Sequence, residues 1–276
     1  MWPLALLLLA SPPRTRAPAL PLVHEVAALP ARPAPATPPN ATLDLVPRER
    51  GVLSFCVVSD THGFEQGLGV APDADVLVHC GDFDGLGALD HWLSQQPHRA
   101  IVVVRGNHDR PGDAALDRLP RSGALYASRR PAVVAVAGAR VLLVPFARGV
   151  PVVPASASSC DIVFSHVPPR GILDKTQRGQ HVGCPMLRAR IGAWARPPSA
   201  WAFGHIHEAH GSAAVSLRAK SADPDYPQTL CLNAANANDG KARRLQRNRP
   251  PAILRLGLPS VAGPPPAPAP LDRACP

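Results

Sequence analysis

The sequence predicts an α/β domain built on parallel strands, and three observations predict it. Short apolar runs stop abruptly at a glycine or a polar residue, as Asp75-Val76-Leu77-Val78-His79-Cys80-Gly81 does, which is the pattern of inner strands in a parallel sheet. Two stretches between such runs carry apolar residues at spacings of three and four, the period of a helix lying on a sheet. Asp, Asn and His follow the ends of five of the runs, and open α/β sheets place their reactive groups just beyond the strand carboxyl ends.

In chain order, Leu53 to Val58 reads as the first strand and runs into Ser59-Asp60-Thr61-His62-Gly63. An Asp-x-His pair on one turn lets a carboxylate and an imidazole face the same ion. The next strand delivers Asp82, followed by Phe83-Asp84-Gly85. Leu86, Leu89, Trp92 and Leu93 then give a helix over 86–95, closed by Pro97. Ile101 to Val104 form the third strand, which passes through Arg105 into Gly106-Asn107-His108-Asp109. There Asn107 offers a neutral oxygen, His108 can act as an acid and Asp109 can fix the His108 tautomer. Ala132 to Val136 and Val141 to Phe146, joined at Gly138, fit a hairpin in a second sheet.

Ile162 to Phe164 lead into Ser165-His166, where Pro168-Pro169 forbid continuation. A second helix is expected over 186–194, with Met186, Leu187, Ile191 and Trp194 on its apolar face and Pro197-Pro198 ending it. Trp201 to Phe203 run into Gly204-His205-Ile206-His207, and strand alternation would put both imidazoles on one side. Ala213 to Leu217, Thr229 to Leu232 and Ala252 to Leu256 close the domain as strands.

The 276 residues include 35 prolines, concentrated at the two ends, so a domain over 48–258 is expected between a Pro/Ala-rich segment (1–47) and a Pro-rich tail (259–276). Such ends bury too little apolar surface to offset the entropy of ordering, and they read as disordered. Met1 to Ala10 is apolar but shorter than the roughly 20 residues that span a bilayer. Residues 14–32 carry arginines and almost no acids, which keeps an N-terminal signal or organellar targeting segment as an alternative to a cytoplasmic location. Asn40-Ala41-Thr42 matches a glycosylation acceptor, relevant only to a secreted chain.

The net charge is +9, which raises nucleic acid as a partner. The densest run, Lys241 to Arg249, is short and lacks interleaved aromatics, so it reads as a solvated loop, and a small anionic substrate suits the field as well as a polymer does. The six cysteines form no Cys-x-x-Cys pair, and Cys56 and Cys80 fall inside strands. Reduced thiols are expected, with no structural zinc site of that kind.

Each cluster alone is what an ordinary polar turn would also present. Together Asp60, His62, Asp82, Asn107, His166, His205 and His207 supply seven oxygen and nitrogen donors, too many for one ion and suited to two that share a bridging carboxylate. In this arrangement the sequence resembles the calcineurin-like metallophosphoesterases, whose blocks run Asp-x-His, Gly-Asp, Gly-Asn-His-(Asp/Glu), His and Gly-His-x-His. All five occur here in order. It is more closely similar to the metallophosphoesterase-domain-containing subfamily, through Asp161 to Pro169, Val182-Gly183-Cys184, Phe203 to Glu208 with Gly211, and Asn233 with Pro251-Ala252-Ile253. Two positions depart from the family pattern: Phe83-Asp84-Gly85 follows Gly-Asp, and Val167 stands where the subfamily usually has Gly.

The resemblance implies two mixed β-sheets packed face to face with helices outside. It also implies a phosphodiesterase that uses two divalent ions, Mn foremost with Fe or Zn as alternatives. Asp60, His62, Asp82 and His207 would hold one ion, and Asp82, Asn107, His166 and His205 the other. Attack by metal-bound hydroxide on a small phosphoester, with His108 as general acid oriented by Asp109, is the mechanism it implies; separately, the short apolar runs predict no transmembrane helix. Two alternatives stay open: a non-catalytic metal-binding scaffold or regulatory module, and a nuclease using the basic loop.

Overall fold

In a computed structural model of the full chain, the described residues are 20–26, 38–149, 151–218 and 227–259. They form β1 (Leu22–Val26), β2 (Ala41–Leu43), β3 (Val52–Val58), β4 (Val76–His79), α1 (Leu86–Leu93), β5 (Ala100–Val104), β6 (Leu116–Arg118) and β7 (Leu125–Ala127). There follow β8 (Ala132–Val136), β9 (Ala139–Val144), β10 (Ile162–Ser165), α2 (Pro185–Gly192), β11 (Ala200–Phe203), β12 (Gly211–Val215), β13 (Thr229–Asn233) and β14 (Ala252–Gly257).

Two seven-stranded mixed sheets result, in the orders β1-β14-β3-β4-β5-β7-β6 and β12-β13-β11-β10-β9-β8-β2. The expected α/β class with two mixed sheets is what the chain adopts. Period-two alternation explains how the layers assemble. On β3, Leu53, Phe55 and Val57 face the second sheet, whereas Cys56 and Val58 face α1 with Leu89, Trp92 and Leu93. Phe55 meets Phe164 of β10 at 5.5 Å between ring centroids, the centre of the intersheet core. On the far side, Leu187 and Ile191 of α2 cover Val163, Trp201 and Phe203. Met186, expected on that apolar face, is exposed instead. The helix opens at Cys184, whose sulfur accepts from the Leu187 N–H.

β3, β4 and β5 run parallel in one sheet, and β9, β10, β11 and β13 run parallel in the other. The expected hairpin joins β8 to β9 antiparallel, turning at Ala137 and Gly138, both at positive φ.

Two of the strands, at 22–26 and 41–43, depart from the reading of residues 1–47 as disordered. β1 pairs with β14 and β2 with β8, each as an outer strand of its sheet. The cause is edge pairing: a strand already in place offers a row of unpaired backbone groups, and a short apolar segment can add to it without a core of its own. The Asn40 carboxamide oxygen secures the second join by accepting from the Val133 N–H at 2.7 Å. The targeting alternative for the first residues and the 259–276 tail concern residues that, but for 20–26 and 259, lie outside those described.

The described cysteines, Cys56, Cys80, Cys160, Cys184 and Cys231, are all free thiols. Burial pushes Cys56 and Cys231 up to about 12, so they behave as small apolar groups. No helix among the described residues is long and apolar enough to cross a membrane.

Candidate metal centre

Five strand ends deliver the site. β3 leads to Asp60 and His62, β4 to Asp82, β5 to Asn107 and His108, β10 to His166, and β11 to His205 and His207. The loops are tied to one another through backbone bonds: the Asp60 N–H donates to the Gly81 carbonyl at 2.8 Å and the His62 N–H to the Asp82 carbonyl at 2.9 Å. The sheets are joined across the rim by the His205 N–H, which donates to the Asp60 carboxylate at 2.9 Å.

Two clusters of possible ligands result, Asp60 with His62 and His207, and Asp82 with His166 and His205; within each, one ligand atom per residue lies within 4.8 Å of the others. Asn107 joins the second, its Oδ1 2.9 Å from His166 Nε2. Asp82 stands between the clusters, with Oδ1 3.4 Å from His166 Nε2 and Oδ2 3.9 Å from His62 Nε2. One carboxylate oxygen for each cluster is the disposition a bridging ligand needs.

The donor set fits cations on grounds of hydrogen-bond chemistry. His207 Nδ1 donates to the Asn238 carbonyl at 2.8 Å, and His62 Nδ1 lies 3.3 Å from both oxygens of Asp84. In the neutral rings the proton is then on Nδ1, so the two Nε2 atoms, 3.4 Å apart, face each other as lone pairs beside the Asp60 carboxylate. His166 repeats the pattern: its Nδ1 donates to the Cys80 carbonyl at 2.9 Å and its Nε2 faces Asn107 Oδ1, Asp82 Oδ1 and His205 Nδ1. Acceptors converging in a buried place repel unless a cation lies among them. All the side-chain donors are oxygen or imidazole nitrogen, which suits Mn, Fe or Zn.

Electrostatics divide the imidazoles. Burial and the neighbouring His166 lower His205 to about 4, so that ring is neutral and ready to ligate. Burial alone would lower His207 too, but its hydrogen bond to Asp60 and that carboxylate's charge outweigh burial and raise it. Asp60 is held below the usual carboxylate range: burial opposes this, and the bond to His207 with the charges of His166 and His207 overcomes it.

Backbone strain marks the same place. Asp60, His62, Asp82, Asp84, His205 and Arg243 all have positive φ, six of the eight described non-glycine residues that do. Such conformations cost on the order of 1–3 kcal/mol and persist where the surroundings impose them, so they point to a selected geometry.

Three sequence-based expectations need correction. His205 and His207 do not share a face by strand alternation. β11 ends at Phe203, His205 turns at φ +70° and His207 begins a 3-10 turn, which sends the two rings to different clusters. Asp109 does not orient His108; its carboxylate accepts from the backbone N–H groups of Asp82, Phe83, Asp84 and Gly106 at 2.7–3.0 Å and so pins the β4 loop to the β5 loop. The loop over 241–249 is not merely solvated, because Arg243 Nη1 donates to His108 Nδ1 at 3.1 Å. His108 Nε2 then faces the site, 4.0 Å from Asp82 Oδ2.

Asp84 and Arg243 are the residues that sequence reasoning missed. Asp84 sits in a turn-like Gly-Asp-Phe-Asp-Gly segment with nothing to distinguish it from a solvated turn residue. Arg243 had a usable signal: its loop follows β13, which runs parallel to β11, so it leaves the sheet on the same rim as the His205 loop.

Residues 53–209 match the family model of the calcineurin-like phosphoesterases. The curated metallophosphoesterase domain-containing protein 1 of Homo sapiens is 27% identical over 209 residues, 60% of this chain and 64% of that protein. The protein named Probable rhamnogalacturonate lyase C of Emericella nidulans is 28% identical over 194 residues, 57% of this chain but 17% of that one. The chain thus spans under two thirds of the length of each. Among solved structures, a conserved uncharacterized protein of Streptococcus pneumoniae is 14% identical with a TM-score of 0.35, covering 70% of this chain and 78% of that one.

Proposed function

This chain belongs to the calcineurin-like phosphoesterase family, and on that footing we propose that it is a two-metal phosphodiesterase acting on a small anionic ester, with Mn foremost and Fe or Zn as alternatives. The observation that carries the reading is Asp82 between two clusters of lone pairs, with the His108 imidazole beside it. When bound, two divalent ions supply Lewis acidity at the phosphoryl oxygens and an activated water for attack on phosphorus, so no protein nucleophile is required. The chain's own residues do the rest.

Asp84 and the Asn238 carbonyl aim His62 and His207, and the Cys80 carbonyl aims His166, which fixes the tautomer of each ligand. His108 is the proton donor to the leaving oxygen. In the structure Arg243 holds its Nδ1 as an acceptor, which puts the neutral ring's proton on Nε2, the atom that faces Asp82. A phosphate dianion or diester is a stronger, charge-assisted acceptor for Arg243 than an imidazole is. Its arrival draws the guanidinium away and frees Nδ1 to take a proton from solvent, so that Nε2 can give its own proton to the leaving oxygen and the ring ends neutral. Exposed Lys241, Arg244 and Arg247 on the same loop add a positive field that favours an anionic substrate.

The test is hydrolysis of bis-p-nitrophenyl phosphate by the purified chain with and without added Mn²⁺. Turnover that needs the metal is the expected result, and none at all would favour a metal-binding scaffold. His108→Ala should keep its metal while losing about 10²–10⁴-fold toward alkyl esters and less toward p-nitrophenyl esters, whose leaving group hardly needs a proton. Equal losses would make His108 a phosphate clamp.

A further inference from the structure

Two cavities differ in the side chains that line them, and one of them has a candidate ligand in its wall. A groove of about 650 Å³ begins at Gly63 and Phe64, directly after His62, and is walled opposite by Arg244, Arg247 and Arg249. A smaller pocket of about 300 Å³ has His205 in its wall. Its remaining lining includes Phe146, Val144, Val167, Val182 and Leu187, and among the described residues it has no Asp, Glu, Lys, Arg, Asn, Gln, Ser or Thr. The Phe146 ring lies 6.4 Å from the centroids of both His166 and His205, so this part of the wall reaches the second cluster.

We infer that this pocket receives an apolar alcohol arm of the ester, so that the substrate is a phosphoester with one short aliphatic substituent. The inference rests on the phosphoesterase reading and adds the substrate's chemical class to it. Among the described residues, the only polar side-chain atoms in the pocket's wall are those of His205 and the Cys184 thiol, whose sulfur already accepts from the Leu187 N–H, so what polar surface the pocket has beyond these is backbone. An alkyl group loses nothing on leaving water and gains from the Phe146, Val167 and Val182 walls. The groove that begins at Gly63, the residue after His62, carries Arg244, Arg247 and Arg249 and suits the polar side of the same ester. Val167 adds apolar wall directly after the ligand His166.

The test is a series of alkyl p-nitrophenyl phosphates, methyl to hexyl, hydrolysed by the Mn-loaded full chain. All share one leaving group, so kcat/KM reports the alkyl arm alone. It should rise by about fourfold per methylene until the pocket is full. Val182→Asp, at an exposed position, and Val167→Ala should each lower the butyl-to-methyl ratio with metal content unchanged. A flat or falling series in an enzyme that hydrolyses the methyl ester would overturn the inference and leave the phosphoesterase reading standing. If no ester is turned over, that reading fails, and calorimetry of monobutyl against monomethyl phosphate decides the pocket: tighter binding of the butyl compound supports it, and equal affinity refutes it.

Discussion

Asp84 shows how a residue outside the ligand set can still govern a cluster. Its carboxylate lies 3.3 Å from His62 Nδ1, fixes the ring's tautomer and leaves Nε2 to face the site. Removing such an orienting partner typically weakens metal affinity about 10–100-fold. Asp84→Ala should do so for the ion held with Asp60 while sparing the other, read by competition with a chelator; equal weakening of both would contradict the role. The imidazoles give a second residue-scale prediction. A ligand must be unprotonated, so protons compete with the metal more strongly the higher a ring's own pKa. His207 is raised and His205 is lowered to about 4, so acidification should release the Asp60 ion first. Elemental analysis after dialysis at about pH 5.5 should find the second ion retained, and joint loss of both would refute the order. The ligand types themselves were legible, because Asp, Asn and His gathered at five strand ends are more than a set of ordinary turns would collect. Their partners were not, since the carbonyls of Cys80 and Asn238 are backbone and leave no mark in side-chain identity.

At the scale of elements, the site depends on strand ends approaching more closely than any side chain allows. Gly204, at the end of β11, faces Asp60 after β3: a Cβ there would stand 2.0 Å from Asp60 Oδ2 and 2.1 Å from Ser59 Oγ. Gly106 is held against Asp82 in the same way, with 2.1 Å to Oδ1. Gly204→Ala must therefore push Asp60 aside or part the two sheets. Overpacking of this kind costs about 1–3 kcal/mol, and each kcal/mol lowers the melting temperature of a domain this size by about 2–4 °C. Thermal melting with a metal assay should show both a lower Tm and loss of the ion at Asp60, and a variant with unchanged values would refute the tight junction. The sequence displays these glycines as turn residues, and only the packing shows what they exclude. The strands flanking them were readable because β3, β4, β5, β10 and β11 are continuous apolar runs. β6 and β7, three residues each, carry too little pattern to read, and β1 and β2 exist only by pairing with strands far along the chain.

At the scale of the molecule, two sheets with separate helix layers meet at one rim, and the shared element at that meeting is Asp82. The class of fold followed from the runs and their spacing; the face-to-face packing followed from resemblance, since no periodicity records which sheet lies on which. The basic loop was read as surface because a charge run looks the same whether it faces water or a substrate, and its contact with His108 depends on β13 lying beside β11.

Metal stoichiometry tests most directly whether the Asp82 carboxylate joins two ions. Elemental analysis of the Mn-loaded wild type should give two ions per chain, Asp82→Ala should lose both, and His62→Ala should mainly lose one. Full occupancy in Asp82→Ala, or the loss of a single ion, would contradict that joint role.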